Sequence, residues 1–213
     1  VGICGEAVYD GETLRTIDNV SSLNIRIARE KNGLAKKLFE KMPLDSVGGF
    51  IIAGSPKSGK TTLLRDIARY ISSGETAVFQ KVCVIDERCE IASMYSGEPQ
   101  NDIGICCDIL SGYKKSDGIN MAIRTMSPDY IICDEIALDS EIEAVFKGVN
   151  SGAKIITTVH AKDMGELEKK PFIKKLIGTN AFDAVAFLST ERRGEVENIA
   201  GLNALLKGTS SEK

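Results

Sequence analysis

The sequence has little of the positive charge and few of the aromatic side chains that a nucleic-acid or membrane surface needs. Its 27 basic and 30 acidic residues leave a formal net charge of -3, and only 6% of the residues are aromatic. Proteins that track along nucleic acid combine a basic groove with aromatic side chains that stack on bases. Nucleic acid is therefore an unexpected partner, and membrane contact is expected to be indirect.

Short basic clusters are present, but acidic residues are interspersed with them. Lysine or arginine pairs begin at residues 114, 169, 174 and 192. We interpret them as solvated faces rather than as a nucleic-acid track. Of these clusters, only the segment around Lys114 and Lys115 is a candidate for facing the pore of an oligomer.

Long apolar runs and cysteine pairs are also missing. No run approaches the roughly 18 residues of a membrane span, and no signal-peptide pattern opens the chain. The six cysteines include no CxxC pair, and Cys83 and Cys133 lie in apolar runs, where we predict small buried hydrophobes. We expect a reducing, cytoplasmic compartment. Because the chain begins at Val1 rather than Met, we also expect a further N-terminal portion.

The residues that are present indicate two kinds of structure. Alternating runs across an Asp-Gly at residues 10 and 11, and another from Leu23 to Ile27, predict a small antiparallel sheet. Residues 33 to 42 predict a short amphipathic helix that Pro43 ends. From residue 48, apolar strands alternate with helices whose apolar positions, such as Ile142, Val145 and Phe146, fall three and four apart. This pattern predicts an α/β fold with a mainly parallel sheet and helices on both faces.

The domain organisation follows from these patterns. We assign residues 1–45 to the C-terminal part of a small N-terminal α+β domain, 46–206 to the main domain and 207–213 to a disordered tail. Residues 88–118 are polar, contain glycine and show little periodicity, so we expect a functional segment that becomes ordered only against a ligand or a neighbour. The strand KIITTVH is interpreted as the last apolar strand.

A phosphate-binding motif lies between a predicted strand and a predicted helix. GSPKSGKT, at residues 54 to 61, matches G-x-x-x-x-G-K-[ST]. Glycines at both ends leave room for a polyphosphate to approach backbone N–H groups at the helix N-terminus. In this interpretation Lys60 contacts the β- and γ-phosphates, and the Thr61 hydroxyl ligates Mg²⁺. The nucleotide-binding residues so predicted are Gly54, Ser55, Pro56, Lys57, Ser58, Gly59, Lys60, Thr61 and Thr62. The alternative is a glycine-rich turn that caps a helix, with Lys60 solvated.

Acidic residues follow two predicted strands. Asp134 ends the strand YIIC, where it can hold Mg²⁺, and Glu135 can polarise a water in line with the γ-phosphate. Asp86 and Glu87 follow KVCVI, and ligands of open α/β sheets lie beyond the carboxyl ends of the strands. Both pairs are expected at one edge. The alternative for each pair is an acid that caps the next turn.

His160 is the only histidine and ends KIITTVH at the same predicted edge. A neutral imidazole there can donate to the γ-phosphate or to the attacking water and so sense the nucleotide. Proton transfer is a second possible role for His160. The alternative is a histidine that only makes local hydrogen bonds and has no function in the site.

Taken in order, these segments resemble the secretion ATPases of the type II and type IV superfamily, which are hexameric RecA-like motors. The resemblance covers roughly residues 20 to 190: GSPKSGKTT is similar to their phosphate loop, VIDERCEI to their acidic box, AIRTMSPDYIICDEI to their Walker B region and IITTVHAKD to their histidine box. A narrower resemblance, in SSLNIRIARE, TTLLRDIARY, DERCEIA and GEPQNDIG, is to a stage III sporulation family of endospore-forming bacteria.

The resemblance implies a RecA-like core with ATP and Mg²⁺ as cofactors. It also implies a ring homo-oligomer of six chains in the mother-cell cytoplasm, docked on the inner-membrane channel or secretion complex that links mother cell and forespore. Many secretion ATPases have Gly-Glu where this chain has Asp134 and Glu135. Asp134 can therefore take the metal directly, which strengthens the assignment of Glu135 as the base and weakens that of the acidic-box Glu87 as a catalytic participant.

Arginines are candidates for completing the site from a neighbouring chain. Such an arginine typically raises the rate of phosphoryl transfer by a factor on the order of a thousand or more. Arg26 and Arg29 lie in the segment that resembles the family's N-terminal arginine region, and Arg88 and Arg124 flank the acidic box and the Walker B strand. Each of these arginines either completes the site of a neighbouring chain or is a surface arginine without that role.

The sequence as a whole predicts a Mg²⁺-dependent ATPase that drives or gates a membrane-associated machine. Two alternatives stay open: an ATP-driven nucleic-acid motor of the same fold, and a nucleotide-binding scaffold with little turnover.

Overall fold

A seven-stranded sheet with helices on both faces forms the body of the chain, which confirms the predicted α/β class. This computed structural model describes residues 2–25 and 31–202, so Arg26, Arg29 and the predicted tail at 207–213 lie outside the described residues. The strands are β1 (Gly2–Asp10), β2 (Thr13–Asn24), β3 (Gly49–Ala53), β4 (Val82–Asp86), β5 (Met94–Tyr95), β6 (Glu98–Pro99), β7 (Cys107–Ser111), β8 (Tyr130–Cys133), β9 (Lys154–Val159), β10 (Phe182–Leu188) and β11 (Val196–Gly201). The helices are α1 (Leu34–Lys41), α2 (Lys60–Ser72), α3 (Lys115–Thr125), α4 (Asp139–Asn150), α5 (Met164–Glu168) and α6 (Ile173–Ile177).

The order of strands in the main sheet is β11-β10-β3-β9-β8-β4-β7. Every neighbouring pair is parallel except β10 and β11, which are antiparallel. Parallel strands end at the same edge of a sheet, so the residues after β3, β4, β8 and β9 emerge together. Ligands of open α/β sheets bind at this edge.

Two hydrophobic clusters cover the sheet, one on each face. Ile51 belongs to the cluster that includes residues of α3 and α4, whereas the next residue, Ile52, belongs to the cluster that includes α1 and α2. Successive side chains of a strand point to opposite faces, so a strand covered on both faces needs an unbroken apolar run such as GFIIA. Each fully buried isoleucine contributes about 2 kcal/mol. This packing holds the strand ends in place.

Two expectations about the chain after residue 87 were wrong. Residues 88–118 do not lack structure of their own: they contain the β5–β6 hairpin, the edge strand β7 and the start of α3. Leu110 is the one buried residue of β7, because among the described strands β7 pairs with β4 alone, and its apolar pattern is correspondingly weak. The strand KIITTVH, which is β9, is also not the last apolar strand. β10 and β11 follow it, and β10 pairs with β3 on the side opposite β9.

The N-terminal elements match their predicted types. β1 and β2 form an antiparallel hairpin whose residues are all exposed. α1 ends before Pro43, and its Leu34 and Leu38 share a cluster with Phe50 of the main sheet. The division of the chain at residues 45 and 46 stays a prediction. Within the described ranges, every helix is too short or too polar to span a bilayer.

Three side chains test the predicted burial pattern. Cys83 and Cys133 are fully buried as expected, and burial raises the pKa of each thiol to about 12. Phe146, assigned to the apolar positions of its helix, is instead 51% exposed. It lies one residue beyond the buried Val145, on the side of α4 that faces away from the sheet.

Candidate functional site

The phosphate loop joins β3 to α2, and its geometry disfavours a side chain at both of its glycines. Gly59 precedes the helix with a φ of 100°, a left-handed conformation that favours glycine. A Cβ atom on Gly54 would lie 2.5 Å from the Ser58 Oγ. Pro56 and Lys57 are exposed at the tip of the loop. The loop therefore leads into the N-terminus of a 13-residue helix, where backbone N–H groups attract anions.

The Lys60 ammonium group is buried at the base of this loop. Its Nζ donates to the carbonyl oxygens of Gly54 at 2.8 Å and Ser55 at 3.0 Å, and it lies 2.9 Å from His160 Nδ1. Burial lowers the pKa of Lys60, and the charge of Glu135 opposes this shift. Because these contacts are carbonyl oxygens and a ring nitrogen, the positive charge is not neutralised by its contact partners.

His160 connects Lys60 to Glu135. A lysine ammonium only donates, so His160 Nδ1 accepts and the ring proton is assigned to Nε2. Nε2 lies 3.5 Å from Glu135 Oε2, and the two side chains are 43% and 36% exposed. The structure thus brings together three residues of the predicted site, and it leaves two of them open to a ligand and to water.

A second cluster forms where β4 and β8 end, around Lys115. Its Nζ lies 2.6 Å from Glu87 Oε2, 3.3 Å from Asp134 Oδ1 and 3.5 Å from Glu141 Oε1. Burial by itself lowers the pKa of Lys115, but the hydrogen bond to Glu87 and the charges of the other two acids outweigh burial and raise the pKa. Glu87 and Asp134 therefore meet at one edge, as their positions after parallel strands predict.

Asp86 does not face this cluster. Its carboxylate is buried and accepts hydrogen bonds from the backbone N–H groups of Glu90, Ile91 and Ala92. The alternative that the sequence left open, an acid that caps the following turn, is what the structure shows for Asp86.

The residues present fit a magnesium ion held jointly with a nucleotide. Asp134 Oδ1 is buried without a hydrogen-bond partner among the described residues, and Lys115 Nζ lies 3.3 Å from it as an ion pair. Burial raises the pKa of Asp134, while the charges of Lys115 and Arg88 oppose the rise. Thr61, in the first turn of α2, supplies a half-buried hydroxyl. In the described ranges, no three histidine, cysteine or acidic side chains could hold a metal by themselves. Mg²⁺ commonly binds with few protein ligands plus substrate phosphates.

The predicted arginines are spread over the molecule. Arg88 is exposed next to Glu87, and its charge acts on Asp134. Arg124 is exposed in the last turn of α3, about 14 Å along the helix axis from Lys115 at 1.5 Å per residue. Arg124 is therefore at the far end of α3 from the acidic cluster of its own chain. Arg26 lies outside the described residues.

Two features of the site were missed by sequence reasoning. Lys115, interpreted as part of a solvated face, is only 6% exposed. No signal in the local sequence marks this burial, because the acids around Lys115 follow β4 and β8 or lie in α4. The loop between β10 and β11 also reaches the phosphate loop: the Gly194 N–H donates to the Ser58 carbonyl at 2.8 Å, and Arg193 packs beside Gly59. Nothing in the local sequence indicates that contact.

Together, the phosphate loop after β3 and the acids after neighbouring parallel strands define a P-loop protein with a RecA-like fold. The ATPase DotB of Yersinia pseudotuberculosis has this fold, with a TM-score of 0.55 and 18% identity over 78% of this chain and 46% of that chain. The pilus retraction motor PilT with bound ADP matches at a TM-score of 0.51 and 17% identity, over 79% of this chain and 50% of that chain. The chain belongs to the family "Sporulation stage III, protein AA", whose model matches residues 1–204.

Relatives in this comparison come from bacteria and from plastid-bearing organisms. Stage III sporulation protein AA of Bacillus subtilis (strain 168) is 36% identical over 190 residues, which are 89% of this chain and 62% of the relative. Uncharacterized protein ycf45 of Cyanidium caldarium is 29% identical over 170 residues, 75% of this chain and 47% of the relative. The chain therefore spans less than two thirds of these relatives. The family resemblance predicted from the sequence is confirmed.

Proposed function

We propose that the chain is a Mg²⁺-dependent ATPase that hydrolyses ATP to ADP and phosphate. The observation that carries this proposal is the contact of Lys60 with His160, and of His160 with Glu135, at the sheet edge that also holds the phosphate loop. A buried cation without a carboxylate in contact favours a bound polyphosphate. A partly exposed carboxylate beside it favours activation of a water.

Each residue then has a defined part. The backbone N–H groups of the phosphate loop and Lys60 bind the β- and γ-phosphates. Thr61 and Asp134 would hold Mg²⁺, which neutralises phosphate charge when bound. Glu135 orients the attacking water and accepts its proton. His160 contacts Lys60 through Nδ1 and lies 3.5 Å from Glu135 through Nε2, so a movement of Lys60 to the phosphates would alter the position of His160 relative to Glu135.

The biological setting is the second part of the proposal. The family is named for sporulation stage III, and DotB and PilT are described as an ATPase and a retraction motor. We infer a ring homo-oligomer, with six chains as the expected number, in the mother-cell cytoplasm and peripheral to the membrane. There it would power or gate the channel complex between mother cell and forespore. Membrane proteins of that complex are the expected partners.

Substitution of the proposed base tests the chemistry. Glu135→Gln removes the proton acceptor but keeps the side-chain shape, so ATP should still bind while turnover falls about a hundredfold or more. Glu143→Gln is the matched control, because Glu143 is exposed on α4 and its ion pair is with Lys147. Phosphate release and calorimetric titration of ATP measure the two effects. A negligible rate that is the same in the parent and in both variants would indicate a nucleotide-binding scaffold, and stimulation by DNA or RNA would indicate a nucleic-acid motor.

Dependence on protein concentration tests the shared site. Arg124 and Arg88 are exposed, and Arg124 lies far from the acids of its own chain, so a neighbour is the natural recipient of its charge. The ATPase rate per chain should rise with protein concentration across the assembly range. Arg124→Ala should lower the plateau by a factor on the order of a thousand if this arginine acts in trans. A rate per chain that stays constant while sedimentation shows assembly would contradict the shared site.

A further inference from the structure

Lys115 lies at a position that is unfavourable for a cation. It is the first residue of α3, where the helix macrodipole is positive, and its side chain is only 7% exposed. Both the dipole and desolvation oppose a charged ammonium there. The contacts of Lys115 must therefore compensate for this unfavourable position.

Those contacts are three carboxylates from three different elements. Glu87 follows β4, Asp134 follows β8 and Glu141 is in the first turn of α4, and one oxygen of each lies within 2.6 to 3.5 Å of Lys115 Nζ. The Glu141 side chain also accepts hydrogen bonds from the backbone N–H groups of Ala137 and Leu138. Lys115 is thereby tied to the segment that follows Glu135.

Three acids around one point form the arrangement that otherwise attracts a divalent cation, because Mg²⁺ and Ca²⁺ prefer oxygen ligands. The ammonium occupies that point. In the described ranges, which include this ammonium, no three acidic, histidine or cysteine side chains form a group that could hold a metal by themselves. One of the three, Asp134, is the residue assigned to Mg²⁺ under the proposed function.

We propose that the Lys115 ammonium is a built-in substitute for a divalent cation among Glu87, Asp134 and Glu141. Free Mg²⁺ is therefore not taken up at this edge, and metal enters only together with the nucleotide. The inference rests on the proposed function for the identity of the nucleotide site. Lys115 acts through Asp134 and is a positioning residue, since nothing places it against the reacting atoms.

Manganese binding without nucleotide tests this directly. Mn²⁺ replaces Mg²⁺ as a probe that electron paramagnetic resonance detects, and the full chain is titrated with Mn²⁺ alone and then with Mn²⁺ and ADP. The parent should bind Mn²⁺ tightly only when ADP is present. Lys115→Met should bind Mn²⁺ without ADP at least about tenfold more tightly than the parent, because a unit charge at contact distance strongly opposes a second cation. Lys115→Arg should resemble the parent.

The matched control is Lys114→Met, which removes the same charge from the adjacent, exposed position. It should leave Mn²⁺ binding unchanged. Circular dichroism checks that each variant is folded. The inference is overturned if the parent binds one Mn²⁺ tightly without ADP, a result that needs no variant, or if folded Lys115→Met binds no more tightly than the parent.

The experiments distinguish failure of the proposed ATPase function from failure of the proposed role of Lys115. A chain that hydrolyses no ATP, while Lys115→Met gains Mn²⁺, contradicts the ATPase and supports the cation substitute. A chain that hydrolyses ATP, while Lys115→Met gains no Mn²⁺, contradicts only the role of Lys115.

Discussion

Lys60 and Lys115 occupy equivalent places in the fold but have opposite surroundings. Each is the first residue of a helix at the same edge of the sheet, and they are 8% and 6% exposed. Lys60 contacts two carbonyl oxygens and an imidazole, whereas Lys115 contacts three carboxylates. The pKa of Lys60 is lowered, mainly by burial, and the pKa of Lys115 is raised because its acidic partners outweigh burial.

The difference shows how the same residue type supports binding in one region and structure in another. A buried charge without an opposite charge in contact is costly, and a bound anion removes that cost. A buried charge with several opposite charges is already compensated, and removing it leaves the partners uncompensated. We therefore expect Lys60 to matter most for ligand binding and Lys115 most for the folded state.

The largest expected effect is on nucleotide affinity. Lys60→Met should weaken the binding of ADP about a hundredfold or more, because it removes the uncompensated charge that faces the phosphates. Lys115→Met should weaken it less than about tenfold, since its charge is compensated within the chain. Calorimetry with ADP in the absence of metal measures both. Equal losses of ADP affinity in the two variants would contradict the difference expected between the two lysines.

The next effect is on stability. Lys115→Met should lower the free energy of unfolding by about 2 to 3 kcal/mol at neutral pH, below the range for fully buried pairs because Glu87 is a third exposed. Urea denaturation measures the change. Lys114→Met should stay within about 0.5 kcal/mol of the parent, as expected for an exposed residue. A loss of the same size in Lys114→Met would assign the effect to helix charge rather than to the three acids.

A smaller effect of opposite sign is expected at the phosphate loop. Lys60→Met should raise the free energy of unfolding of the nucleotide-free chain by about 1 kcal/mol, because an apolar side chain replaces a desolvated cation. The same denaturation measurement serves here, with the exposed Lys57→Met as control. A clear loss of stability in Lys60→Met would show that its three hydrogen bonds outweigh burial of the charge.

The smallest signal is a dependence on pH that sharpens the contrast. The folded state raises the pKa of Lys115, so its stabilisation is complete below the ordinary lysine pKa of about 10.4 and is lost as pH rises above that value. The folded state lowers the pKa of Lys60, so the parent gains stability as pH rises from that lowered pKa towards about 10.4. The stability differences between parent and each methionine variant should therefore start with opposite signs and both shrink at alkaline pH. Differences that stay constant from neutral pH to pH values above both pKa values would contradict the assigned shifts.

The parts of the site that sequence reasoning located are those carried by local signals. The phosphate loop has a fixed spacing of glycine, lysine and threonine, and Asp134, Glu135 and His160 directly follow apolar strands. Lys115 has neither signal, because what distinguishes it is the approach of β4, β8 and α4. β7 and β10 were missed for a similar reason: Asp108 and Asp183 interrupt their apolar runs, and pairing with β4 and β3 compensates for this.

The sequence by itself determined the alternation of apolar strands and amphipathic helices, the phosphate loop and the acids at the strand ends, because each depends on residues close together in the chain. Only the tertiary structure decided which charges are compensated. It placed β8 beside β4, which brought Glu87 and Asp134 to Lys115, and β9 beside β3, which brought His160 to Lys60. Coulombic interaction depends on distance in space and on burial, and neither is set until distant segments pack.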